Sequence, residues 1–148
     1  MLITMQRLTP KNCLHAFAIH QSCHLLPWSE SAFKDCLTSP YFAYQLSSNH
    51  DVVGYFVGLA VAGEATLMDI GVRHAFRDQG NGDKLLTEFK VQAQCHDCEE
   101  IWLEVRESNV SAKNLYEKHG FTSVEVRKGY YPTETGRENG LIMRALLA

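Results

Sequence analysis

The sequence predicts one α/β domain built on a mixed sheet. Three observations carry this. Apolar and polar stretches fall in the order β, α, α, β, β, β, α, β, α, β, β. Two β–α–β crossovers in that order imply parallel pairing around a central strand. The 148 residues, 45% of them apolar and 21% charged, suffice for one core.

Met1 to Leu8 reads as the first strand. Thr9-Pro10 starts a helix, with a capping hydroxyl and proline at the first helical position. Cys13, Leu14, Phe17 and Ala18 then face the core, and the helix ends before a kink at His24 to Ser29. Ser29 caps a second short helix running through Phe33 and Leu37 and ending before Pro40. Tyr41 to Leu46 and Val52 to Ala62 form a hairpin across Ser47 to Asp51. Gly63-Glu64 starts the next turn, and the central strand runs from Leu67 to Val72, interrupted by Asp69 and Gly71.

A third, amphipathic helix runs from Asp83 to about Cys95. In the strand Glu100 to Arg106, Ile101, Leu103 and Val105 share one face, and Trp102, Glu104 and Arg106 share the other. The last helix spans about Val110 to His119; Gly120 suits its left-handed C-terminal position, with Phe121 folding back. Strands Thr122 to Lys128 and Gly140 to Leu147 are joined by a loop from Gly129 to Asn139.

Composition excludes several function classes. A net charge of −3 gives no basic field for nucleic acid. No apolar run reaches the length of a membrane span, and the first residues lack a signal-peptide pattern, so a cytoplasmic location is expected. Five cysteines suit reduced thiols. Cys95-x-x-Cys98 follows a helix rather than starting one and has no second pair, so neither metal nor redox function is expected.

The stretch between the central strand and the third helix, Arg77-Asp78-Gln79-Gly80-Asn81-Gly82, carries the strongest chemical signal. Two glycines can take positive φ, and the helix start beyond them offers free N–H groups to a phosphate. For two glycines alone, an ordinary tight turn before a helix is the commoner reading. Asp83 after Gly82 rules out a Walker loop, and Leu85 stands where a dinucleotide fingerprint needs glycine.

Glu104 is a carboxylate in an apolar strand. Buried, its pKa rises toward that of a general base; at a solvated strand end it pairs with Arg106 instead. Asn109 and Tyr116 lie two turns apart on one helix, with Ala112 leaving room between them. Tyr116 can be a proton donor in a cleft or a core tyrosine, and Asn109 a ligand contact or a helix cap.

The spacing of Arg77 to Gly82 resembles the pyrophosphate motif of the GCN5-related N-acetyltransferases, the GNAT superfamily. The segments Pro27 to Glu30, Glu64 to Leu67, Trp102 to Arg106, Ser108-Asn109, Leu115-Tyr116, Gly120-Phe121, Tyr130 to Pro132 and Gly136 to Glu138 resemble the RimI-type ribosomal-protein alanine N-acetyltransferases. That resemblance implies the GNAT acyl-CoA N-acyltransferase fold over residues 1–148, with a mixed, mostly antiparallel sheet of about seven strands and about four helices. It implies acetyl-CoA as donor, no metal, and the N-terminal peptide of small-subunit ribosomal protein eighteen as acceptor. Carried over by position, Glu104 is the proton acceptor and Tyr116 the proton donor. Ile70, Gly71, Val72, Arg77, Asp78, Gln79, Gly80, Asn81, Gly82 and Asn109 are the coenzyme contacts, and Trp28, Tyr130 and Tyr131 frame the peptide. The same residues also suit a small amine or lysine acceptor, or a non-catalytic acetyl-CoA-binding module.

Three positions depart from the family pattern. Gly71 replaces alanine, Asp83 replaces a basic residue, and Asn139-Gly140 replaces an acidic-small pair. Asp83 favours the helix dipole but opposes a pyrophosphate, so coenzyme affinity suffers unless Asp83 points outward, as toward Lys84 or Lys90.

Overall fold

The structure is a computed structural model that describes residues 2–147; Met1, the first residue of the predicted opening strand, lies outside them. Seven strands, β1 (Ile3–Arg7), β2 (Tyr41–Ser48), β3 (Asp51–Val61), β4 (Glu64–Val72), β5 (Glu100–Arg106), β6 (Thr122–Thr133) and β7 (Gly136–Leu146), form one sheet. Its order is β1-β2-β3-β4-β5-β7-β6. Four helices cover it: α1 (Leu14–Cys23), α2 (Glu30–Asp35), α3 (Asn81–Cys95) and α4 (Val110–Lys118). The predicted class and element order hold.

Among the described residues only β4 and β5 pair in parallel. The second crossover, β5–α4–β6, leaves room for one strand, and β7 fills it antiparallel to both neighbours. Parallel pairing on both sides of the central strand, expected from the sequence, is therefore corrected to a single parallel contact.

Both sheet faces are covered, which explains the long apolar runs. Leu8, Phe17, Phe33, Tyr55 and Val57 pack beneath α1 and α2. Phe42, Phe56, Leu86, Phe89, Leu103 and Tyr116 form the larger core beneath α3 and α4. Gly58 on β3 makes room for a ring in that core. A Cβ there would lie 2.5 Å from Cζ of Phe42. Gly58→Ala should therefore cost about 1–3 kcal/mol of overpacking strain, read as a lower midpoint in urea unfolding with unchanged slope.

Several boundaries move for identifiable reasons. Helix α1 begins at Leu14, not at Pro10. Asn12 Oδ1 instead accepts the Thr9 N–H at 2.7 Å and closes a separate turn. The helix thereby rotates: Leu14 and Ala18 are exposed, while Ala16, Ile19 and His20 join Cys13 and Phe17 inside. Helix α2 stops at Asp35, two residues short of Leu37; its cap is as expected, with Ser29 Oγ accepting the Ala32 N–H at 3.1 Å. The β2–β3 turn shrinks to Asn49-His50 because both take positive φ, 51° and 73°. The next turn is Ala62-Gly63, also left-handed, so β4 starts at Glu64. The expected loop Gly129 to Asn139 is largely strand: β6 and β7 form a long hairpin with a register shift between Arg127 and Tyr131.

Candidate active site

The site begins with one extra residue. Leu67 of β4 pairs with Gly58 of β3, and Asp69 pairs with Val57, so Met68 is bulged out of the ladder. Pairing between β4 and β5 also stops there, at Leu67 and Leu103. Beyond it the two strands separate. A bulge bends its strand and shifts the alternation of side chains by one. Ala65 and Leu67 face α3 before the bulge; Ile70 and Val72 pack on that side after it. Asp69 and Gly71 are thereby sent to the α1 face, where Asp69 meets α1 and Gly71 sits against the ring of Tyr55.

The separation frees a strip of β4 backbone. Arg73 N–H donates to Val53 O at 2.8 Å, so alternation aims the polar backbone of Asp69, Gly71 and Arg73 at β3. The N–H and C=O groups of Ile70 and Val72 then face the gap. The Val72 carbonyl confirms this direction: it accepts from Arg77 Nε at 3.1 Å, on the side away from β3.

At the end of this strip the chain makes a 3₁₀ turn (His74–Phe76) and enters the glycine turn. Asp78 and Gly80 both take left-handed φ, 59° and 83°. Gly80 is the N-cap, and the helix starts at Asn81, two residues earlier than the sequence suggested; Gly82 is already helical. A Cβ on Gly82 would meet Leu115 of α4 at 3.1 Å, so this glycine serves close helix packing rather than the turn. The backbone N–H groups of the first α3 turn remain open to an anion. The side chains here brace the loop: Gln79 Nε2 donates to Ala75 O at 3.2 Å, and buried Asn81 Nδ2 to Phe76 O at 2.9 Å.

Asp83 does turn outward, but not toward Lys84 or Lys90. His119 Nε2 donates to its carboxylate at 2.7 Å, and Lys118 Nζ lies at 3.4 Å. The hydrogen bond from His119 is the main cause holding the Asp83 carboxyl below its ordinary range. Asn139 is likewise a hairpin element. Its Oδ1 accepts the Gly129 N–H at 3.0 Å, a bond that an acidic side chain would also make.

Glu104 and Tyr116 sit on opposite faces of the sheet, flanking the gap. Glu104 projects to the α1 face, and its side chain is 33% exposed. Of the two alternatives the sequence left open, the exposed one holds: α1 packs on β3 and β4 and leaves this side of β5 uncovered. Its partner is Arg127 Nη2 at 3.5 Å, not Arg106. Arg106 is held by Glu138 at 3.1 Å and by the Pro132 carbonyl at 2.9 Å. Tyr116 is buried under α4 and packs on Phe121 at 5.9 Å between ring centroids. Burial pushes its hydroxyl pKa up, and the charges of Asp69 and Tyr131 push the same way. Asn109 caps α4, its Oδ1 accepting the Ala112 N–H at 3.1 Å. Gly120, at φ 90°, ends that helix, and the Phe121 N–H returns to Tyr116 O at 3.1 Å, as the sequence implied.

On the α1 face a cleft of about 320 Å³ lies between Cys23 to Leu25 and the hairpin tip Pro132 to Glu134, with Arg106 between them. Tyr131 stacks under the Arg106 guanidinium, 4.6 Å from ring centroid to Cζ. Burial, then the Glu104 charge, push its pKa up to about 12. Gly140 allows this packing, since a Cβ there would lie 2.8 Å from Tyr131 Cε2. Tyr130 is exposed beside Arg127. Trp28 is packed against Phe33 and His20 rather than free at the cleft mouth.

Four residues beside the cleft escaped the sequence reading. Asp69 is buried and accepts three hydrogen bonds: from His20 Nδ1 at 2.7 Å, from the Tyr55 hydroxyl, and from His24 Nε2 at 2.8 Å. Burial alone would raise its pKa, but these donors outweigh it and hold the carboxyl at about 2. The Trp28 N–H donates to His20 Nε2 at 2.9 Å, which places the His20 proton on Nδ1. His20, His24 and Asp69 could also be viewed as three metal ligands. The fit is poor, because a metal on His20 would displace either the proton given to Asp69 or the bond from Trp28. The available signal was two histidines four apart, one in the last turn of α1 and one just past its end, together with the lone charge of an apolar strand.

The chain belongs to the acetyltransferase (GNAT) family, whose sequence profile matches residues 13–121. Acetyltransferases of this fold use acetyl-CoA as donor. More particularly, the chain is similar to enzymes named [ribosomal protein bS18]-alanine N-acetyltransferase. It is 39% identical to that of Haemophilus influenzae over 132 residues, 88% of this chain and 90% of the relative. It is 38% identical to that of Escherichia coli over 128 residues, 86% of each. The crystal structure of the Escherichia coli ribosomal-protein-S18-alanine N-acetyltransferase superimposes with a TM-score of 0.94 at 34% identity, covering 99% of this chain and 95% of that one. No helix among the described residues is long and apolar enough to cross a membrane.

Proposed function

We propose that this chain is an acetyl-CoA-dependent N-terminal acetyltransferase that modifies the N-terminal alanine of ribosomal protein bS18 in the cytoplasm. The observation that carries this reading is the near end-to-end similarity to enzymes of that name, at 38–39% identity.

The geometry fits the donor. The free edge of Ile70 to Val72 can hydrogen-bond an extended amide arm as an added strand. The Arg77 to Gly82 turn and the start of α3 can take a pyrophosphate, and Asn109 stands at the start of the neighbouring helix. Acetyl-CoA supplies the thioester carbon that the acceptor nitrogen attacks. Backbone N–H groups near Ile70 to Val72 polarise its carbonyl. Glu104 accepts a proton from the acceptor nitrogen, and Tyr116 protonates the departing sulfur. The upward pKa shift of Tyr116 keeps its proton in place beforehand and makes the phenolate short-lived afterward. Trp28, Tyr130 and Tyr131 are assigned to the acceptor side, where Tyr131 packs under the Arg106 guanidinium.

Mass spectrometry of a peptide with the bS18 alanine N-terminus tests this. Incubation with acetyl-CoA should add one acetyl group to the free peptide and none to a copy already blocked at its α-amine. No gain on the free peptide would reject the reading.

A further inference from the structure

An ammonium acceptor gives up two protons from its nitrogen in one turnover. The first leaves to create the lone pair that attacks. The second leaves once the C–N bond has formed. Tyr116 returns one proton to sulfur as the C–S bond breaks, and the other is released to water. Glu104 can hold one proton at a time, and its carboxylate is shared with Arg127. A second acceptor is therefore wanted on the same face.

We propose that His24, oriented by Asp69, is that second acceptor and takes the first proton from the acceptor ammonium. The proposal rests on the assignment of the α1-face cleft to the acceptor peptide. His24 lines that cleft, and its side chain is 39% exposed. Its Nε2 is committed as a donor to an ionised carboxylate, so the basic lone pair of the neutral ring is on Nδ1. The ammonium N–H bond breaks, its electron pair stays on the amine, and a new N–H bond forms at Nδ1. The resulting imidazolium is stabilised by Asp69 and hands the proton to water. Asp69 is the positioning residue: it is buried and braced by His20 and Tyr55, so the His24 ring keeps one orientation.

The charged and titratable neighbours support this arrangement. His20 packs on His24 at 4.5 Å between centroids, but its proton sits on Nδ1 and its Nε2 accepts from the Trp28 N–H, so it offers the acceptor no lone pair. Cys23 is adjacent on α1 and carries the Arg77 guanidinium at 3.4 Å. Arg106 from β5 and Glu134 from the β6–β7 turn face the cleft from the other wall, their opposite charges offsetting.

The test is the pH dependence of His24→Gln on the bS18-type peptide. At about pH 7, where an α-amine of ordinary pKa is still mostly protonated, kcat/KM for the peptide should fall on the order of 10²-fold. At about pH 9.5 the amine is already neutral, and the deficit should shrink to a few-fold. KM for acetyl-CoA should not move. A loss of equal size at both pH values, or no loss, would overturn the proposal. Long-range ¹⁵N–¹H spectra of the unmodified protein give a second reading without any acceptor: His24 should be the Nε2–H tautomer, and the Nδ1–H tautomer would equally overturn it. If the unmodified protein acetylates no peptide, the assignment of the acceptor fails instead.

Discussion

Tyr116→Phe should lower kcat for peptide acetylation on the order of 10²-fold while leaving acetyl-CoA affinity within about twofold. The phenyl ring keeps the contact with Phe121 and the place of Tyr116 in the larger core, so the fold survives the change. Only the hydroxyl is lost. A coenzyme thiolate leaves poorly unless it is protonated or solvated, and Tyr116 stands among buried apolar side chains. Separate titration of acetyl-CoA binding by calorimetry distinguishes a lost proton donor from a distorted coenzyme site. Unchanged kcat would remove Tyr116 from the acid role.

Asp69→Ala should be the most destabilising change at this site, on the order of 1–3 kcal/mol for each buried polar group it strands. It leaves the buried Tyr55 hydroxyl proton with no acceptor and the His20 Nδ1–H with only the Tyr55 oxygen, at 3.2 Å. The pH dependence has a definite sign. The Asp69 carboxyl is lowered from 3.8 to about 2 in the folded protein. A lowered carboxyl contributes stability that is fully present above its unfolded value and fades as pH falls through the folded one. The contribution of roughly 2 kcal/mol from its ionisation is thus present above about pH 4 and gone near pH 2. Urea unfolding of the unmodified protein should show a midpoint that declines across that window. Asp69→Asn should flatten the decline, and an equally steep one would show that other carboxylates dominate it.

Much of the architecture was legible because both faces of the sheet are covered. Strands buried on two sides read as apolar runs, and helices between them read by their period. Ser29, Asn109 and Gly120 declared helix ends through capping chemistry that is local in sequence. The glycine turn was legible as a turn, but the division of labour within it was not: Gly80 supplies the left-handed backbone, whereas Gly82 supplies clearance for Leu115, which is distant in sequence. The start of α1 was misread because proline at a first helical position and an Asn12-closed turn look alike until the Asn12 side chain is placed. Glu104 was legible as a singular carboxylate. Its exposure and its bond to Arg127 depend on β7 lying between β5 and β6, which no local pattern encodes. The Asp69 network spans three separate elements and so left only a faint trace, two histidines one helical turn apart and one charge in an apolar strand.

Met68 bears on how this sequence can vary. Its side chain is 38% exposed and lies outside the ladder, so most residues could stand there at little expense. Its presence as a position is another matter. Removing it would close the parity shift in β4, turning Asp69 into the apolar core beneath α3, Ile70 toward α1, and the free backbone edge back into register with β5. The cleft is thus specified by how many residues β4 contains rather than by which residue sits at 68. Substitution and deletion at that one codon should have opposite consequences, near-neutral for the first and ruinous for the second.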